Sequence, residues 1–196
     1  MPCCHDALSA KLIERNGFAM TFMSGFTVSA TRLGMPDTGL ISFGEMVDQL
    51  RLITQAISIP VLADGDTGYG NALNIKRTVR EYGAAGAACV MIEDQVWPKR
   101  CGHTKGKQIV NFDEACSRIQ AAVDAREEGA DILIMARTDA RGVKGMDEAI
   151  RRMQAYADIG ADILFLEAPQ NVAEMERFCN EVQGTKMANL IENGMT

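Results

Sequence analysis

The chain has 196 residues, of which 47% are hydrophobic and 23% charged, and its formal net charge is −6. A chain of this length can bury the core of one domain, so we expect residues 1–196 to form a single domain. An acidic chain without a broad basic face is a poor nucleic-acid binder, and no apolar run approaches the roughly 18 residues of a membrane span, so we expect neither nucleic acid nor membrane as a partner.

Short apolar runs recur along the chain, most of them after an amphipathic stretch that ends in glycine. Glycine at a helix end supplies the left-handed conformation that stops the helix, and the five or six apolar residues that follow are typical of buried strands. The runs predict strands within residues 16–24, 59–64, 84–94, 127–139, 158–168 and 186–191. Residues 1–4 are a candidate remnant of one further strand.

The segments between the strands have helical periodicity. It predicts helices over residues 43–56, 72–82, 113–128, 146–159 and 172–182. Ser42, Asn71 and Asn171 are suitable N-caps for three of them. Strands that alternate with helices indicate βαβ units and a parallel sheet buried on both faces, which is an α/β fold.

Two architectures remain open from this pattern. A closed (β/α) barrel needs eight units and about 250 residues, whereas this chain has six convincing strands. An open doubly wound sheet is the alternative, although the glycine-rich dinucleotide loop expected after its first strand is missing.

Polar residues follow the predicted strands. They are Ser24-Gly25, Asp64 to Asp66, Glu93-Asp94, Arg137 to Asp139, Glu167 and Asn189. In a (β/α) barrel these strand ends converge on one mouth, where the active site is built. Strands also commonly become polar as they reach solvent, but the recurrence over six strands favours a site.

Three of the carboxylates, Asp64, Asp66 and Glu93, stand at the ends of two successive strands and would share one rim. They would repel one another unless a cation lay among them, and oxygen-only ligands suit Mg²⁺. The alternative is a set of helix caps and ion-pair partners. Arg137 can form a bidentate pair with a carboxylate or phosphate of a substrate, or an ion pair with Glu93 or Glu167.

Residues 97–107, WPKRCGHTKGK, form a loop that follows Glu93 and therefore lies near the same mouth. Its four cations are Lys99, Arg100, Lys105 and Lys107. They should favour the thiolate of Cys101 and attract an anionic substrate. Gly102 and Gly106 give the flexibility of a lid. An exposed loop with an incidental cysteine is the alternative.

The six cysteines lack the spacing of a disulfide framework or of a double CxxC zinc site. Three adjacent candidate ligands, Cys3, Cys4 and His5, stand near a terminus and are better explained as incidental. Because the first residues also lack the features of a signal peptide, we expect a reduced, cytoplasmic protein.

Seven motifs together resemble the isocitrate lyase and phosphoenolpyruvate (PEP) mutase superfamily. They are SG (residues 24–25), LGMPD (33–37), DGDTGYG (64–70), IEDQ (92–95), KRCGH (99–103), ARTDA (136–140) and LEAP (166–169). The KRCGH form resembles the carbon–carbon lyase branch, which contains methylisocitrate lyase, dimethylmalate lyase and the petal-death type. The resemblance runs through nearly the whole chain.

The resemblance implies a single catalytic TIM-type (β/α)8 barrel over residues 1–196. By the family pattern the barrel is incomplete here, with a partial first strand and without the eighth unit. The family exchanges its last helix between subunits, so the full-length form is expected to be a homodimer or homotetramer.

The resemblance also implies roles for individual residues. The substrate-binding residues would be Ser24, Gly25, Phe26, Gly102, Arg137, Glu167 and Asn189. The residues that hold Mg²⁺, or Mn²⁺ in its place, would be Asp64 and Asp66, with Glu93 nearby. The catalytic residues would be Cys101 and His103 on the lid and Asp37 on a mobile loop beside the reacting centre.

The implied reaction is retro-aldol cleavage of a small 2-hydroxy di- or tricarboxylate, such as 2-methylisocitrate or 2,3-dimethylmalate. It gives a 2-oxo acid and a carboxylate, and the Cys101 thiol protonates the departing carbanion. Oxaloacetate decarboxylation and phosphonate chemistry of the PEP mutase or carboxyphosphonoenolpyruvate mutase type are alternatives on the same scaffold. An inactive fragment is a third.

Overall fold

The computed structural model describes residues 1–102, 104 and 106–190, and its strands form one parallel sheet. The strands are β1 (Cys3–Cys4), β2 (Thr21–Met23), β3 (Val61–Asp64), β4 (Cys89–Glu93), β5 (Leu133–Thr138), β6 (Ile163–Leu166) and β7 (Thr185–Met187). Hydrogen-bonded neighbours follow one another in chain order from β1 to β7. This order is that of a (β/α) barrel and excludes the doubly wound alternative, whose strand order reverses.

Helices alternate with the strands. They are α1 (Ala7–Arg15), α2 (Gly25–Val28), α3 (Phe43–Thr54), α4 (Ala72–Ala84), α5 (Phe112–Glu127), α6 (Ala140–Lys144), α7 (Met146–Ile159) and α8 (Val172–Glu181), and a π-helical turn spans Ser29–Leu33. The five predicted helices are confirmed to within two residues at each end. Within the described ranges, no helix has both the length and the apolarity to cross a bilayer.

The predicted N-caps are also confirmed. Ser42 Oγ accepts the backbone N–H of Glu45, and the side chains of Asn71 and Asn171 accept N–H groups in the first turns of α4 and α8. Such caps satisfy donors that the helix itself leaves without a partner. Helix α1, which begins with a capping box between Asp6 and Ser9, was not among the predicted helices.

The two outer strands differ from expectation in opposite ways. Residues 3–4 of the candidate remnant form β1, which pairs in parallel with β2. The last strand was predicted over residues 186–191, but β7 ends at Met187, whose partner on β6 is Phe165. Because β6 ends at Leu166, it offers a partner to at most one further residue of β7. Residue 191 lies outside the described residues.

Alternate residues of each strand pack on opposite sides of the sheet. One side packs under the helices and carries most of the apolar core, including Ala63, Ile92 and Ile134. The other side lines the interior of the curved sheet with a smaller cluster. Its buried members are Phe22, Leu62, Cys89, Met91, Met135 and Phe165.

Candidate active site at the carboxyl ends of the strands

The interior cluster fixes which polar side chains enter the mouth. Successive side chains of a strand point to opposite faces, so a residue two positions after an interior residue also faces inward. Four polar residues stand at that spacing from the interior residues Leu62, Met91, Met135 and Phe165. They are Asp64, Glu93, Arg137 and Glu167, and each is at most 9% exposed.

The turn after β3 folds around the carboxylate of Asp64. Its Oδ2 accepts the backbone N–H of Gly25 at 3.1 Å, and its Oδ1 accepts the N–H of Asp66 at 3.1 Å. A Cβ on Gly25 would lie 2.9 Å from that Oδ2, so the close approach requires glycine. Asp66 adopts a left-handed conformation with φ 49° and is fully buried.

Two neighbours of Gly25 were predicted to contact the substrate. Ser24 is the N-cap residue of α2 and is half-buried. Phe26 is 52% exposed at the start of the same helix. The structure therefore places both beside the Asp64 turn.

Lys99 is folded into the mouth. Its Nζ lies 2.6 Å from Asp37 Oδ1 and 2.9 Å from Asp66 Oδ1, and all three side chains are at most 5% exposed. The desolvation of a buried ammonium is offset by these carboxylates, so the pKa of Lys99 is raised. Lys99 thus bridges the loop of Asp37 and the turn of Asp66.

Two carboxylates of the mouth, Asp66 and Glu93, are costly to ionise. Burial raises the pKa of Asp66 to about 6, against the opposing charge of Lys99 and with the repulsion of Asp64 adding to it. Burial also raises the pKa of Glu93 well above its ordinary range, although Arg137 opposes the shift. Carboxyls with raised pKa values are stabilised by any additional cation placed among them.

Arg137 is held by three carboxylates. Its Nε and Nη2 donate to the two oxygens of Asp139 at 2.9 and 3.2 Å, while Nε lies 3.3 Å from Glu93 and Nη2 3.6 Å from Glu167. The guanidinium also stands 5.2 Å from the centre of the Phe165 ring. The ion pairs with Glu93 and Glu167 that the sequence suggested are therefore present, and they orient Arg137 within the mouth.

The described part of the loop over residues 97–107 lies on these groups. The N–H of Cys101 donates to the carbonyl oxygen of Asp37 at 3.1 Å. A Cβ on Gly102 would overlap Arg137 Nη2 and lie 2.8 Å from Glu167 Oε1. The loop therefore covers the Arg137–Glu167 pair, and only glycine at position 102 permits that approach.

The predicted site residues that remain are Asn189 and His103. Asn189 is half-buried, two residues after the end of β7. His103 lies outside the described residues, so its predicted catalytic role stays a prediction.

The charge balance of the mouth fits a divalent cation. Among the residues that the structure describes, its buried carboxylates outnumber its buried cations, with Asp37, Asp64, Asp66, Glu93, Asp139 and Glu167 against Lys99, Arg137 and Lys107. Among the described residues, Asp66 Oδ2 and Glu93 Oε1 are buried without a hydrogen-bond partner. Oxygen donors of this kind suit Mg²⁺ or Mn²⁺.

The carboxylates are not gathered into a closed cage. The described part of the chain contains no group of three or more His, Cys, Asp and Glu side chains close enough to hold a metal ion. Since Mg²⁺ usually takes only one or two carboxylates and keeps several waters, such a cage is not required. Metal binding by Asp64, Asp66 and Glu93 stays a prediction.

The contacts of Lys99, Lys107 and Asp139 were not predicted from the sequence. The two lysines were assigned to a cationic loop, and Asp139 to the polar end of its strand and to the ARTDA motif, but none of them was given a partner. Asp139 is fully buried and accepts hydrogen bonds from Arg137 and from Lys107 Nζ, the latter at 2.6 Å. The position of this carboxylate directly after β5 was the sequence feature that could have indicated a partner for a cation of the mouth.

Comparison with known proteins agrees with this architecture. A family model described as phosphoenolpyruvate phosphomutase (PEP mutase) matches residues 1–195. The 2,3-dimethylmalate lyase of Eubacterium barkeri is 50% identical over 100% of this chain and 67% of its own length. The petal death protein of Dianthus caryophyllus is 47% identical and the 2-methylisocitrate lyase of Aeropyrum pernix 44%, each over 100% of this chain and 62% of the relative. The chain thus spans about two thirds of the length of these curated relatives.

Solved structures superpose closely. A 2,3-dimethylmalate lyase gives a TM-score of 0.96 at 37% identity, covering 99% of this chain and 65% of that one. Oxaloacetate acetylhydrolase with the inhibitor 3,3-difluorooxalacetate gives 0.95 at 36%, covering 100% and 67%. Phosphonopyruvate hydrolase with oxalate and Mg²⁺ gives 0.82 at 35%, covering 94% and 64%. The family model spans nearly the whole chain, and the three curated relatives named above are at least 44% identical over all of it. The chain therefore belongs to the PEP mutase/isocitrate lyase superfamily.

Proposed function

We propose that the protein is a Mg²⁺-dependent carbon–carbon lyase that cleaves a small 2-hydroxy di- or tricarboxylate, such as 2,3-dimethylmalate or 2-methylisocitrate. The observation that carries the proposal is the position of Cys101, whose N–H is bonded to Asp37 beside the buried carboxylates. The 2,3-dimethylmalate lyase and 2-methylisocitrate lyase relatives support the reaction class.

The residues of the mouth fit an anionic substrate bound next to a cation. Asp64 and Asp66, with Glu93 beside them, would hold a divalent cation, which when bound supplies Lewis-acid polarisation of substrate oxygens. The guanidinium of Arg137 is oriented by Asp139 and can pair with a substrate carboxylate. The Mg²⁺ and oxalate in the related phosphonopyruvate hydrolase support this arrangement.

The bond changes balance without a further reactant. The substrate 2-hydroxyl gives its proton to a carboxylate of the mouth, and its oxygen forms the carbonyl of the 2-oxo acid product. The adjacent carbon–carbon bond breaks, and its electron pair leaves on the carbon of the second fragment. The Cys101 thiol donates a proton to that carbon, so that the second product is a carboxylate with a new C–H bond.

Replacement of the thiol tests this role. In a panel of 2,3-dimethylmalate, 2-methylisocitrate, oxaloacetate and phosphonopyruvate, each with Mg²⁺, we expect cleavage of a 2-hydroxy acid. Cys101→Ser should lower its rate by roughly 10²–10⁴-fold, since general acid catalysis contributes that much. Cys179→Ser, at an exposed cysteine of α8, is the matched control and should retain the rate. Full activity of Cys101→Ser would disprove the acid role.

The panel also separates the alternative functions. The close superposition on oxaloacetate acetylhydrolase and on phosphonopyruvate hydrolase favours oxaloacetate and phosphonate chemistry as second candidates. If only oxaloacetate or only phosphonopyruvate were turned over, the corresponding activity would replace the lyase proposal. An inactive fragment would turn over none of the four, and calorimetry with Mg²⁺ and oxalate would then show whether the mouth binds ligands. Homo-oligomerisation stays a prediction.

A further inference from the structure

Lys107 ties the loop of Cys101 to the body of the barrel. Its Nζ donates to the carbonyl oxygen of Gly102 at 2.7 Å and to Asp139 Oδ1 at 2.6 Å. The side chain of Lys107 is only 8% exposed although the residue belongs to a loop. One ammonium thus joins the backbone next to Cys101 to a carboxylate at the end of β5.

Asp139, the residue of this link that lies next to β5, is itself held by further hydrogen bonds. The N–H of Asp139 donates to Asp94 Oδ1 at 2.9 Å, and Asp94 Oδ2 accepts from Arg152 Nη1 at 2.9 Å and from the Tyr156 hydroxyl at 3.2 Å. Arg152 and Tyr156 are fully buried on α7. The backbone of Asp139 is therefore held by Asp94 and, through it, by α7, without a contribution from the loop.

The link acts where the loop meets the mouth. The carbonyl oxygen that Lys107 holds belongs to Gly102, the residue packed against Arg137 and Glu167. On the other side, the N–H of Cys101 bonds to Asp37. If the bond from Lys107 is lost, this segment keeps its anchor at Asp37 but loses the described side-chain bond that draws it towards β5.

We propose that Lys107 is a positioning residue, a latch that uses Asp139 to hold Cys101 and Gly102 down over the mouth. The link itself is independent of the activity, but its catalytic consequence rests on the lyase function proposed above. The described bonds of Lys107 Nζ go to protein atoms, the carbonyl oxygen of Gly102 and Asp139 Oδ1. The latch acts by fixing where the thiol stands, and small misplacements of a reacting group are costly.

The test compares Lys107→Met, Lys107→Arg and the matched control Lys11→Met, which removes an exposed ammonium of α1. The first readout is the rate at which iodoacetamide alkylates Cys101, measured by peptide mass spectrometry and independent of turnover. Loss of a charge-assisted hydrogen bond should speed alkylation by roughly 10- to 100-fold in Lys107→Met. Lys107→Arg should restore slow alkylation, and Lys11→Met should match the wild type.

The second readout is the split between kcat and KM. With substrate bound, an unlatched loop should lower kcat by roughly 10- to 100-fold with a smaller change in KM. Circular dichroism of each variant shows whether it is folded. If Lys107→Met does not fold, the alkylation rate and kcat of Lys107→Arg are compared with those of the wild type instead. Wild-type alkylation of Cys101 in Lys107→Met would overturn the latch. A changed alkylation rate in a protein that cleaves no substrate would instead support the latch and refute the proposed function.

Discussion

Glu93 and Asp94 are adjacent carboxylates at the end of β4, both 2% exposed, and they have opposite surroundings. Asp94 points towards α7, where its two oxygens accept from Arg152, Tyr156, Thr138 and the backbone of Asp139. Glu93 points into the mouth, where it pairs with Arg137 at 3.3 Å and its Oε1 has no hydrogen-bond partner among the described residues.

The difference shows that burial alone does not mark a functional carboxylate. Burial raises the pKa of Asp94 as well as that of Glu93, so a shifted pKa does not separate them either. What separates them is whether the protein completes the hydrogen bonds. A fully partnered buried carboxylate stabilises the fold, and an incompletely partnered one retains capacity for a ligand.

Asp94→Ala should destabilise the protein more than any other substitution considered for these two carboxylates. The substitution leaves Arg152, which is 0% exposed, with a buried charge that Glu148 alone would have to balance. Removing one partner of a buried pair costs about 3–5 kcal/mol in the free energy of unfolding. Urea denaturation followed by circular dichroism measures this loss.

Glu93→Gln is the matched control at the neighbouring position. It removes a carboxylate that is already costly to ionise, and Arg137 keeps its bonds to Asp139. We expect the free energy of unfolding to change by less than about 1 kcal/mol, because the main mechanisms of large destabilisation are absent. Equal losses for the two variants would show that the mouth carboxylate is structural too.

The stability of the metal-free protein should depend on pH through Asp66, a second carboxylate of the mouth. Burial raises the pKa of Asp66 to about 6, whereas an unfolded aspartate titrates near 3.9. Between these values the folded state retains a proton that the unfolded state has released, so this group makes stability fall as the pH rises from about 4 to 6. The total loss is on the order of 3 kcal/mol.

Asp66→Asn isolates that contribution. Urea denaturation in EDTA between pH 4 and 7 should give a flatter profile for Asp66→Asn than for the wild type. At pH 7, Mg²⁺ should stabilise the wild type by about 3 kcal/mol at a hundred times its dissociation constant, and Asp66→Asn by much less. Parallel profiles in EDTA would mean that Asp66 is ionised in the folded protein without cost.

The interior positions of the mouth could be predicted from local patterns. Asp64, Glu93 and Arg137 each follow an interior residue of their strand by two positions, and strand alternation then directs them inward. The same alternation turns Asp94 away from Glu93. The capping box of Asp6 and Ser9 would likewise have revealed α1.

The ion pairs between residues far apart in the chain could not be predicted in this way. Lys99 and Asp37 are 62 residues apart in the chain, and Arg152 and Asp94 are 58 apart. Charge pattern alone offers each lysine many carboxylates, and only the packed barrel selects among them. The family resemblance supplied the mouth residues, but the Lys107–Asp139 link depends on where the loop lies.

The smallest expected effect is at the surface of the barrel. Lys76 Nζ lies 2.6 Å from Glu128 Oε1, as close as many of the buried contacts, but the two side chains are 23% and 46% exposed. Water screens such a pair, so urea denaturation should show Lys76→Met to be the least destabilising of these substitutions, with a still smaller effect in 1 M salt. If Lys76→Met were as destabilising as Asp94→Ala, distance rather than burial would decide the strength of these ion pairs. The contrast between Asp94 and Glu93 would then need another explanation.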